Sequence, residues 1–251
     1  MEGHFRVVVD QGNSHTKVAL FEGDRVIDLV HLQICGIEDI LVLLGDRPLY
    51  SAILCSVVGI DIRLVESLRR IASGDVVVLT GETPLPVILD YLTPSTLGHD
   101  RIADAVGAAY MFPGENVIIA DAGSALTTDI VSAEGKFLGG NISPGLSMRF
   151  RALSEFTGCL PSVTYRDAEI PVFGKDTCGA IRAGVVRGIT AEIEKFALEA
   201  KKKLGSTVLI LTGGHAPFLS EFLRMDGLEI ICEPHLLVKG LNRILIYNET
   251  I

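Results

Sequence analysis

The 251-residue chain contains no tryptophan and few aromatic residues of any kind, 6% in all. Basic residues are fewer than acidic ones, 22 against 31, which gives a formal charge of −9. A run of three lysines, Lys201-Lys202-Lys203, is the one evident basic cluster. Binding to a phosphate backbone requires many exposed cations, so we expect no nucleic-acid partner.

Long hydrophobic runs are also missing, although 48% of the residues are apolar and the mean hydropathy is +0.42. The long uncharged run 206–220 is interrupted by glycines and a proline. A spanning helix needs roughly 18 or more apolar residues, so we expect no membrane partner and an apolar interior instead. The start of the sequence resembles neither a signal peptide nor a transit peptide, which favours a cytoplasmic protein.

Cysteine pairs and common nucleotide motifs are absent as well. The five cysteines are scattered and never form a CxxC pair, which is typical of reduced thiols rather than disulfides or zinc ligands. There is no GxxxxGK[ST] and no GxGxxG motif. The segment Gly174-Lys175-Asp176-Thr177 resembles the end of a P-loop, but Glu169 occupies the place of its first glycine. Any nucleotide site must therefore be built differently.

Hydrophobic periodicity predicts two successive sets of elements with the same order. The first set comprises a three-strand meander at 6–9, 18–21 and 26–32, then a strand at 51–58, a helix at 62–72 and a strand at 76–79. The second comprises strands at 117–120, 127–131 and 137–142, helices at 146–156 and 177–204, strands at 208–211 and 228–232, and a helix at 235–246. The chain is therefore predicted to be an α/β protein.

A short internal repeat supports a duplicated architecture. At a constant offset of 111 residues, Asp10 aligns with Asp121, Gly12 with Gly123 and Thr16 with Thr127, each time after an apolar strand. The turn at 113–116 is the natural boundary. We therefore expect two domains of similar layout, 1–112 and 113–251.

The repeated Asp-x-Gly segment has a definite chemical use. Glycine permits a tight turn whose backbone N–H groups can hold phosphate oxygens, and the aspartate can orient a hydrated Mg²⁺. An ordinary hairpin turn is the better explanation of a single copy, but the duplicated pair favours a nucleotide. The later segment Thr212-Gly213-Gly214-His215 either lets adenine lie against the backbone or is a plain strand-to-helix turn. We interpret His15, His99 and His215 as loop or rim residues.

A third group of polar residues lies in the segment 91–101. Pro94 and Gly98 predict a shaped loop, and Asp100 and Arg101 precede a predicted helix at 102–110. In a structural interpretation, Asp100 caps this helix and Arg101 is solvated. In a functional one, Asp100 accepts a proton from a substrate hydroxyl and Arg101 holds a substrate anion.

Taken together, these segments resemble the type III pantothenate kinase family, within the acetate and sugar kinase/Hsp70/actin superfamily. The resemblance runs nearly end to end and depends on the order of several short motifs. These are Asp10-Gln11-Gly12-Asn13-Ser14 with Lys17, Tyr91 to Arg101, Asp121 to Thr127, Gly139 to Gly145, the stretch 153–161, Thr177 before Ala180-Ile181, and Leu211 to Gly214. The family fold implies two similar ribonuclease H-like (actin-like ATPase) domains, each a mixed sheet with a three-strand meander flanked by helices.

The resemblance also implies roles for individual residues. It places Asp100 as the general base that accepts the proton of pantothenate. It places ATP at Asp10, Gln11, Gly12, Asn13, Ser14, His15, Thr16, Lys17 and Ser124. It places pantothenate at Tyr91, Gly98, His99, Asp100, Arg101 and Thr177, and the required monovalent cation, K⁺ or NH₄⁺, at Asp121. Mg²⁺ accompanies the nucleotide, and family members are homodimers. Ser124 stands where the family more often has threonine, which keeps the hydroxyl but with a looser rotamer.

Two alternatives stay open from the sequence alone. One is another small-molecule kinase of the same superfamily, acting on a sugar, acetate or polyphosphate. The other is a non-catalytic regulatory protein on this scaffold. The segment 91–101 argues against the first, and the presence of Asp10, Asp100 and Asp121 argues against the second.

Overall fold

The computed structural model describes residues 4–12, 15–166 and 168–251. They form two compact units, which are treated separately. The first comprises residues up to 113 together with 135–137 and 235–251, and the second comprises 114–134 and 138–234. The predicted domain boundary at 112/113 stays a prediction. Within the described residues, no helix is long and apolar enough to cross a membrane.

The strands of the first unit are β1 (Phe5–Gln11), β2 (Thr16–Glu22), β3 (Arg25–Leu32), β4 (Leu49–Ser56), β5 (Val76–Val78) and the two-residue β6 (Ile88–Leu89). The first five form a mixed sheet with strand order β3-β2-β1-β4-β5. Strands β1 and β2, and β2 and β3, are antiparallel, whereas β1, β4 and β5 run parallel. The helices are α1 (Ile37–Leu44), α2 (Ile62–Ile71), α3 (His99–Met111) and the C-terminal α7 (Leu236–Asn248), with a 3₁₀ turn at Pro94–Thr96.

Helices cover both faces of this sheet, and the strand sequences reflect it. Successive side chains of a strand point to opposite faces, so Val7 and Val9 pack with α1 and α2 in one core cluster. Val8, which is fully buried, points to the other face. There α7 contacts β1 and β4, and α3 contacts β4. The uninterrupted apolar sequence of β1 follows from burial on both sides.

Helices α3 and α7 approach each other at two glycines. A Cβ atom on Gly240 would overlap the carbonyl oxygen of Ala103, and one on Gly107 would lie 2.8 Å from the carbonyl oxygen of Leu236. The two backbones therefore pack with no side chain between them. This crossing fixes the position of α3 along α7.

The second unit repeats the strand order of the first. Its strands are β7 (Asn116–Ala122), β8 (Ala125–Val131), β9 (Lys136–Pro144), β10 (Thr207–Thr212) and β11 (Glu229–Cys232). They are arranged in the order β11-β10-β7-β8-β9, with β7 and β8 antiparallel and β7, β10 and β11 parallel. The helices are α4 (Leu146–Glu155), α5 (Thr177–Leu204) and α6 (Ala216–Ser220). The first two residues of β9 belong to the first unit and pair with β6.

The long helix α5 carries the core of the second unit. It begins where Asp176 accepts a hydrogen bond from the N–H of Gly179 at 2.8 Å, and it ends in three lysines before Gly205, whose φ is +86°. Both ends follow ordinary capping chemistry. Its apolar face packs against α4, α6, β7 and β10 in a single cluster. The predicted bounds of this helix, 177–204, are confirmed.

Candidate functional site

Asp10 is a buried carboxylate near the carboxyl end of β1. It pairs with Lys17 across the antiparallel strand β2 and with Cys55 across the parallel strand β4. Burial raises the pKa of Asp10 to about 6; the Lys17 ammonium opposes this rise and the negative charge of Asp100 adds to it. The two carboxylates therefore lie close enough to interact electrostatically, as the predicted roles of both require.

The thiol of Cys55 lies close enough to these carboxylates for their charges to affect its pKa. Burial raises its pKa, and the charges of Asp10, Asp100 and Asp104 raise it further. These three acidic side chains, two from α3 and one from β1, thus lie within electrostatic range of the Cys55 thiol near the end of β4. Cys55 is fully buried and its thiolate is strongly disfavoured, so we assign it no chemical role.

The last residue of β1 carries a polar atom that has no partner among the described residues. The side-chain oxygen of Gln11 is buried and accepts no hydrogen bond from the described residues. Next to it, the N–H of Gly12 donates to the carbonyl of His15 at 3.2 Å, which closes the loop. Leaving a buried acceptor unpaired is costly, so such an atom suits contact with a bound ligand. Two predicted nucleotide contacts, Asn13 and Ser14, lie outside the described residues.

The first turn of α3 places Asp100 and Arg101. The helix begins at His99 with Gly98 as its N-cap residue, and one carboxylate oxygen of Asp100 accepts the N–H of Arg101 at 2.8 Å. A Cβ atom on Gly98 would overlap that oxygen, so glycine at this position permits the carboxylate conformation. The interpretation of Asp100 as the helix cap is therefore wrong.

Arg101 packs against two aromatic rings that also pack against each other. Its guanidinium carbon lies 5.9 Å from the ring centroid of Tyr91 and 5.6 Å from that of Phe137. The two rings pack edge to face at 5.8 Å, and the N–H of Asp90 donates to the carbonyl of Phe137 at 3.0 Å, which holds Tyr91 beside it. The side chain is buried, so the interpretation of Arg101 as a solvated residue is also wrong. The rings fix the direction of its donors.

Phe137 is a site residue that sequence reasoning missed. It is fully buried in β9 and reads in the sequence as an ordinary core residue of a strand. Only its pairing with Leu89 of β6 brings it to Tyr91 and Arg101. A two-residue strand has no recognisable sequence pattern, so no signal was available for this contact.

In the second unit, Asp121 lies near the end of β7, in register with Thr127 of β8 and Thr212 of β10. The next residue after β10, Gly213, has a φ of +87°, and a Cβ atom there would overlap a carboxylate oxygen of Asp121. The glycine loop therefore passes directly against this aspartate. Residues with a side chain would fill the space beside the carboxylate.

Ser124 sits in the turn between β7 and β8. Gly145, the N-cap residue of α4, packs against this turn so closely that a Cβ atom would overlap the carbonyl oxygen of Ser124. The start of α4 and the β7–β8 hairpin thus form one compact edge. Thr177, the last predicted substrate residue, is exposed at the first position of α5.

The structure accordingly groups the predicted residues by unit. Within the first unit, Asp10, Lys17, Tyr91, Asp100 and Arg101 lie around the ends of β1 and β4 and the start of α3. Within the second, Asp121 and Ser124 lie at the carboxyl edge of the sheet beside the glycine loop. Of the described side chains, no three His, Cys, Asp or Glu are placed to hold a metal ion together. Any cation at Asp121 would also need backbone or ligand oxygens.

Several solved structures have a similar fold. A Campylobacter jejuni protein named for the Baf family of transcriptional activators matches with a TM-score of 0.62 and 24% identity, covering 98% of this chain and 100% of that one. A ROK family protein from Streptococcus pneumoniae, solved in complex with sucrose, matches with a TM-score of 0.55 and 12% identity over 98% and 99% of the two chains. At such low identities the matches show the fold alone. The shared fold confirms the prediction of two ribonuclease H-like domains.

Sequence comparison gives the family. The sequence model of the type III pantothenate kinase family matches residues 6–199 of this chain. A type III pantothenate kinase from Phocaeicola vulgatus is 37% identical over 243 residues, covering 97% of this chain and 98% of the relative. Another, from Porphyromonas gingivalis, is 39% identical over 246 residues, covering 97% and 99%. The chain therefore belongs to the type III pantothenate kinase family and is a phosphotransferase.

Proposed function

We propose that the protein phosphorylates pantothenate with ATP to give 4′-phosphopantothenate, the first step of coenzyme A biosynthesis, with Asp100 as general base. The observation that supports this most directly is the electrostatic coupling of Asp100 to Asp10 beside a fixed Arg101. A proton acceptor, a carboxylate suited to a hydrated cation, and an anion-binding guanidinium then share one end of the first unit. Transfer of a phosphoryl group to an alcohol needs these three functions.

At the acceptor end, Asp100 takes the proton from the primary hydroxyl of pantothenate as the oxygen attacks. The hydrogen bond from Arg101 N–H occupies one carboxylate oxygen and leaves the other for the substrate. The guanidinium of Arg101, stiffened by Tyr91 and Phe137, binds the carboxylate or amide end of pantothenate. Gly98, His99 and Thr177 complete the proposed substrate contacts.

At the nucleotide end, residues Asp10 to Lys17 and Ser124 bind ATP, which supplies the γ-phosphoryl group. Lys17 and the backbone amides of the hairpin turns offset negative charge on the phosphates. Asp10 would hold a hydrated Mg²⁺, which would offset negative charge on the phosphates. Its raised pKa fits that role, because a carboxylate that is costly to ionise alone gains a partner when a cation is near. The unpaired oxygen of Gln11 offers an acceptor on the same side.

We also propose that Asp121 binds the monovalent cation. Carboxylate and carbonyl oxygens suit a hard cation, and the glycine at 213 keeps the space beside this carboxylate clear of a side chain. A cation held there would supply positive charge that stabilises the transferring phosphoryl group.

A homodimer is the proposed assembly, in line with the family resemblance. Several large apolar side chains of the second unit are exposed, a pattern typical of an interface. They are Ile142, Met148, Phe156, Val172 and Phe173. We propose no nucleic-acid or membrane partner, given the formal charge of −9. All five cysteines are free thiols, which supports a cytoplasmic location.

An ADP-release assay with pantothenate, in buffers containing potassium, ammonium or only sodium, tests substrate and cation together. We expect turnover with pantothenate that depends on potassium or ammonium. Equal rates in sodium would count against the role of Asp121. Turnover with acetate, a sugar or polyphosphate in place of pantothenate would assign the chain to another activity of the superfamily, and ATP binding without turnover of any acceptor would favour a regulatory protein.

A further inference from the structure

Ser147 and His215 form a hydrogen-bonded pair in the second unit that the proposed mechanism does not use. The hydroxyl oxygen of Ser147, at the second position of α4, lies 3.1 Å from Nε2 of His215. The other ring nitrogen, Nδ1, lies 3.2 Å from the carbonyl oxygen of Ala122, the last residue of β7. The backbone N–H of His215 donates to the same carbonyl at 3.1 Å. Main chain and side chain of His215 are thus both fixed to the end of β7.

This arrangement determines where the protons are in the neutral imidazole. A carbonyl oxygen only accepts, so Nδ1 must carry the ring proton and Nε2 must present a lone pair. The Ser147 hydroxyl therefore donates to Nε2. Its oxygen keeps its lone pairs and faces solvent as an acceptor, since the residue is exposed. A ligand group that meets Ser147 here must be a hydrogen-bond donor.

The pair lies at the edge of the sheet where ligands of parallel α/β sheets bind. Strands β7 and β10 run parallel, with Asp121 and Thr212 in register near their carboxyl ends, and His215 follows the second of these strands. Ligands of such sheets occupy the crevice outside the carboxyl ends of the strands. Gly145 packs against the hairpin turn of Ser124, and Ser147 is two residues further along the chain. The Ser147–His215 pair therefore lies next to the β7–β8 turn, which we assign to the phosphates.

We propose that Ser147, positioned by His215, accepts a hydrogen bond from the nucleoside part of the bound nucleotide, either from a ribose hydroxyl or from the 6-amino group of adenine. The inference rests on the proposed function, because it takes the β7–β8 hairpin to be a nucleotide site. Phosphate oxygens only accept hydrogen bonds. They therefore cannot pair with the Ser147 hydroxyl, whose proton is already donated to Nε2 of His215. Hydroxyl and amino groups both donate and both match.

His215 acts here as a positioning residue. Its ring packs edge to face on Tyr165 at 5.6 Å, and Tyr165 in turn packs on Phe218 at 4.5 Å. An aromatic cluster therefore holds the imidazole plane while the carbonyl of Ala122 sets its tautomer. Replacing the ring with phenylalanine keeps the packing and removes both nitrogens.

The test compares Ser147→Ala and His215→Phe with wild type, using ATP, 2′-deoxy-ATP, 3′-deoxy-ATP and ITP, which has a carbonyl in place of the 6-amino group. Ser154→Ala is the matched control, since Ser154 lies on the same helix and its hydroxyl donates to the carbonyl of Arg151 in its own helical turn. Dissociation constants come from direct titration of each nucleotide, and Michaelis constants come from the kinase assay.

In wild type we expect one analogue to bind about 2- to 10-fold more weakly than ATP, the range for loss of one neutral hydrogen bond. Ser147→Ala should weaken ATP binding by a similar factor, so that the variant binds ATP and that analogue with equal affinity. Its kcat and its KM for pantothenate should not change. His215→Phe should do the same, and Ser154→Ala should match wild type. A deoxy analogue that discriminates identifies a ribose hydroxyl; ITP identifies the amino group.

Ser147→Ala with unchanged ATP affinity, or with the full wild-type discrimination among analogues, would overturn the proposal. So would equal binding of all four nucleotides by wild type. The titration needs no acceptor substrate, so a protein that binds ATP through Ser147 but leaves pantothenate unphosphorylated would contradict the proposed function and not this inference.

Discussion

Lys17 lies directly across the β1–β2 ladder from Asp10. In the second unit, Thr127 takes the corresponding place opposite Asp121. A constant offset of 111 aligns Thr127 with Thr16 instead, so the second hairpin is one residue shorter than the first. The two Asp-x-Gly hairpins therefore differ in charge: the first has a lysine opposite its aspartate, and the second has a neutral threonine. This difference supports placing the monovalent cation at Asp121.

The raised pKa of Asp10 predicts a pH-dependent gain in stability when it is replaced by asparagine. Burial lifts the pKa from 3.8 to about 6, so ionised Asp10 destabilises the fold, and this penalty develops as the pH rises from about 4 to about 6. A shift of two units corresponds to about 3 kcal/mol. We expect Asp10→Asn to gain about that much relative to wild type between pH 4 and pH 7.5.

Urea unfolding without nucleotide or Mg²⁺ at the two pH values measures this gain. Asp46→Asn, at an exposed position after α1, is the control and should follow the wild-type pH dependence. An Asp10→Asn variant whose stability relative to wild type does not change with pH would contradict the burial argument. The same variant should lose kinase activity, since the carboxylate is assigned to Mg²⁺.

A second prediction concerns the general base. Asp100→Asn keeps an oxygen to accept the N–H of Arg101, so the first turn of α3 should remain intact. Loss of a general base typically lowers turnover by about 10²- to 10⁴-fold. We expect that loss in the ADP-release assay, with unchanged thermal unfolding and ATP binding. Asp90→Asn, an exposed carboxylate beside Tyr91, should keep its turnover. Wild-type turnover in Asp100→Asn would remove Asp100 from the mechanism.

Much of the fold was predictable because its signals are local. The helix α5 has a side-chain cap, a long apolar face and a basic last turn, and its predicted bounds were met. The helix α1 was missed. Its eight residues include the continuous apolar run Ile40 to Leu44, which resembles a strand, and its N-cap is Gly36, which has no side chain. Its start is stabilised instead by the Asp39 carboxylate, which accepts the N–H of Gly36 at 2.8 Å.

The site was predictable only in part, since its remaining contacts depend on tertiary pairing. Strand ends and glycines identified Asp10, Asp121 and the loops around them. Nothing in the sequence links Arg101 with Phe137, which are 36 positions apart, or Ser147 with His215. These pairs meet because separate elements pack side by side.

The crossing of α3 and α7 predicts that Gly240→Ala is destabilising. The added methyl would overlap the carbonyl oxygen of Ala103 and lie 3.0 Å from the backbone N of Gly107, and neither backbone atom can turn away. Overpacking of this kind costs about 1–3 kcal/mol. Because α3 begins at the proposed general base, any shift of the helix should also lower kcat.

Gly188→Ala is the matched control for that variant. Gly188 lies within α5, and a Cβ atom there would meet nothing within 4 Å. This change should stabilise the protein by up to about 1 kcal/mol and leave turnover unchanged. Unfolding free energies and kcat values measured on both variants check the prediction. A Gly240→Ala variant as stable and active as wild type would show that α3 and α7 can move apart with no loss of stability.

The final prediction concerns the attachment of the C-terminal segment to the first unit. Glu249, just after α7, accepts hydrogen bonds from two nitrogens of the Arg6 guanidinium, the shortest from each at 2.9 and 2.7 Å, and one from the Ser51 hydroxyl. Arg6 lies in β1 and Ser51 in β4, so Glu249 links the C-terminal segment to two neighbouring strands by hydrogen bonds. Burial alone would raise the pKa of Glu249, but these hydrogen bonds and the Arg6 charge outweigh it and lower the pKa.

A lowered pKa means that the stabilisation is present above the ordinary value of 4.5 and is lost as the pH falls through the native value. Removing one partner of a buried ion pair costs about 3 kcal/mol, so we expect Glu249→Gln to lose about that much at pH 7 and much less near pH 3. Glu199→Gln, which breaks the exposed pair with Lys195, should change nothing measurable. Urea unfolding at both pH values measures the difference, and a penalty for Glu249→Gln that stays constant from pH 7 to pH 3 would show that packing, rather than charge, holds the C-terminal segment in place.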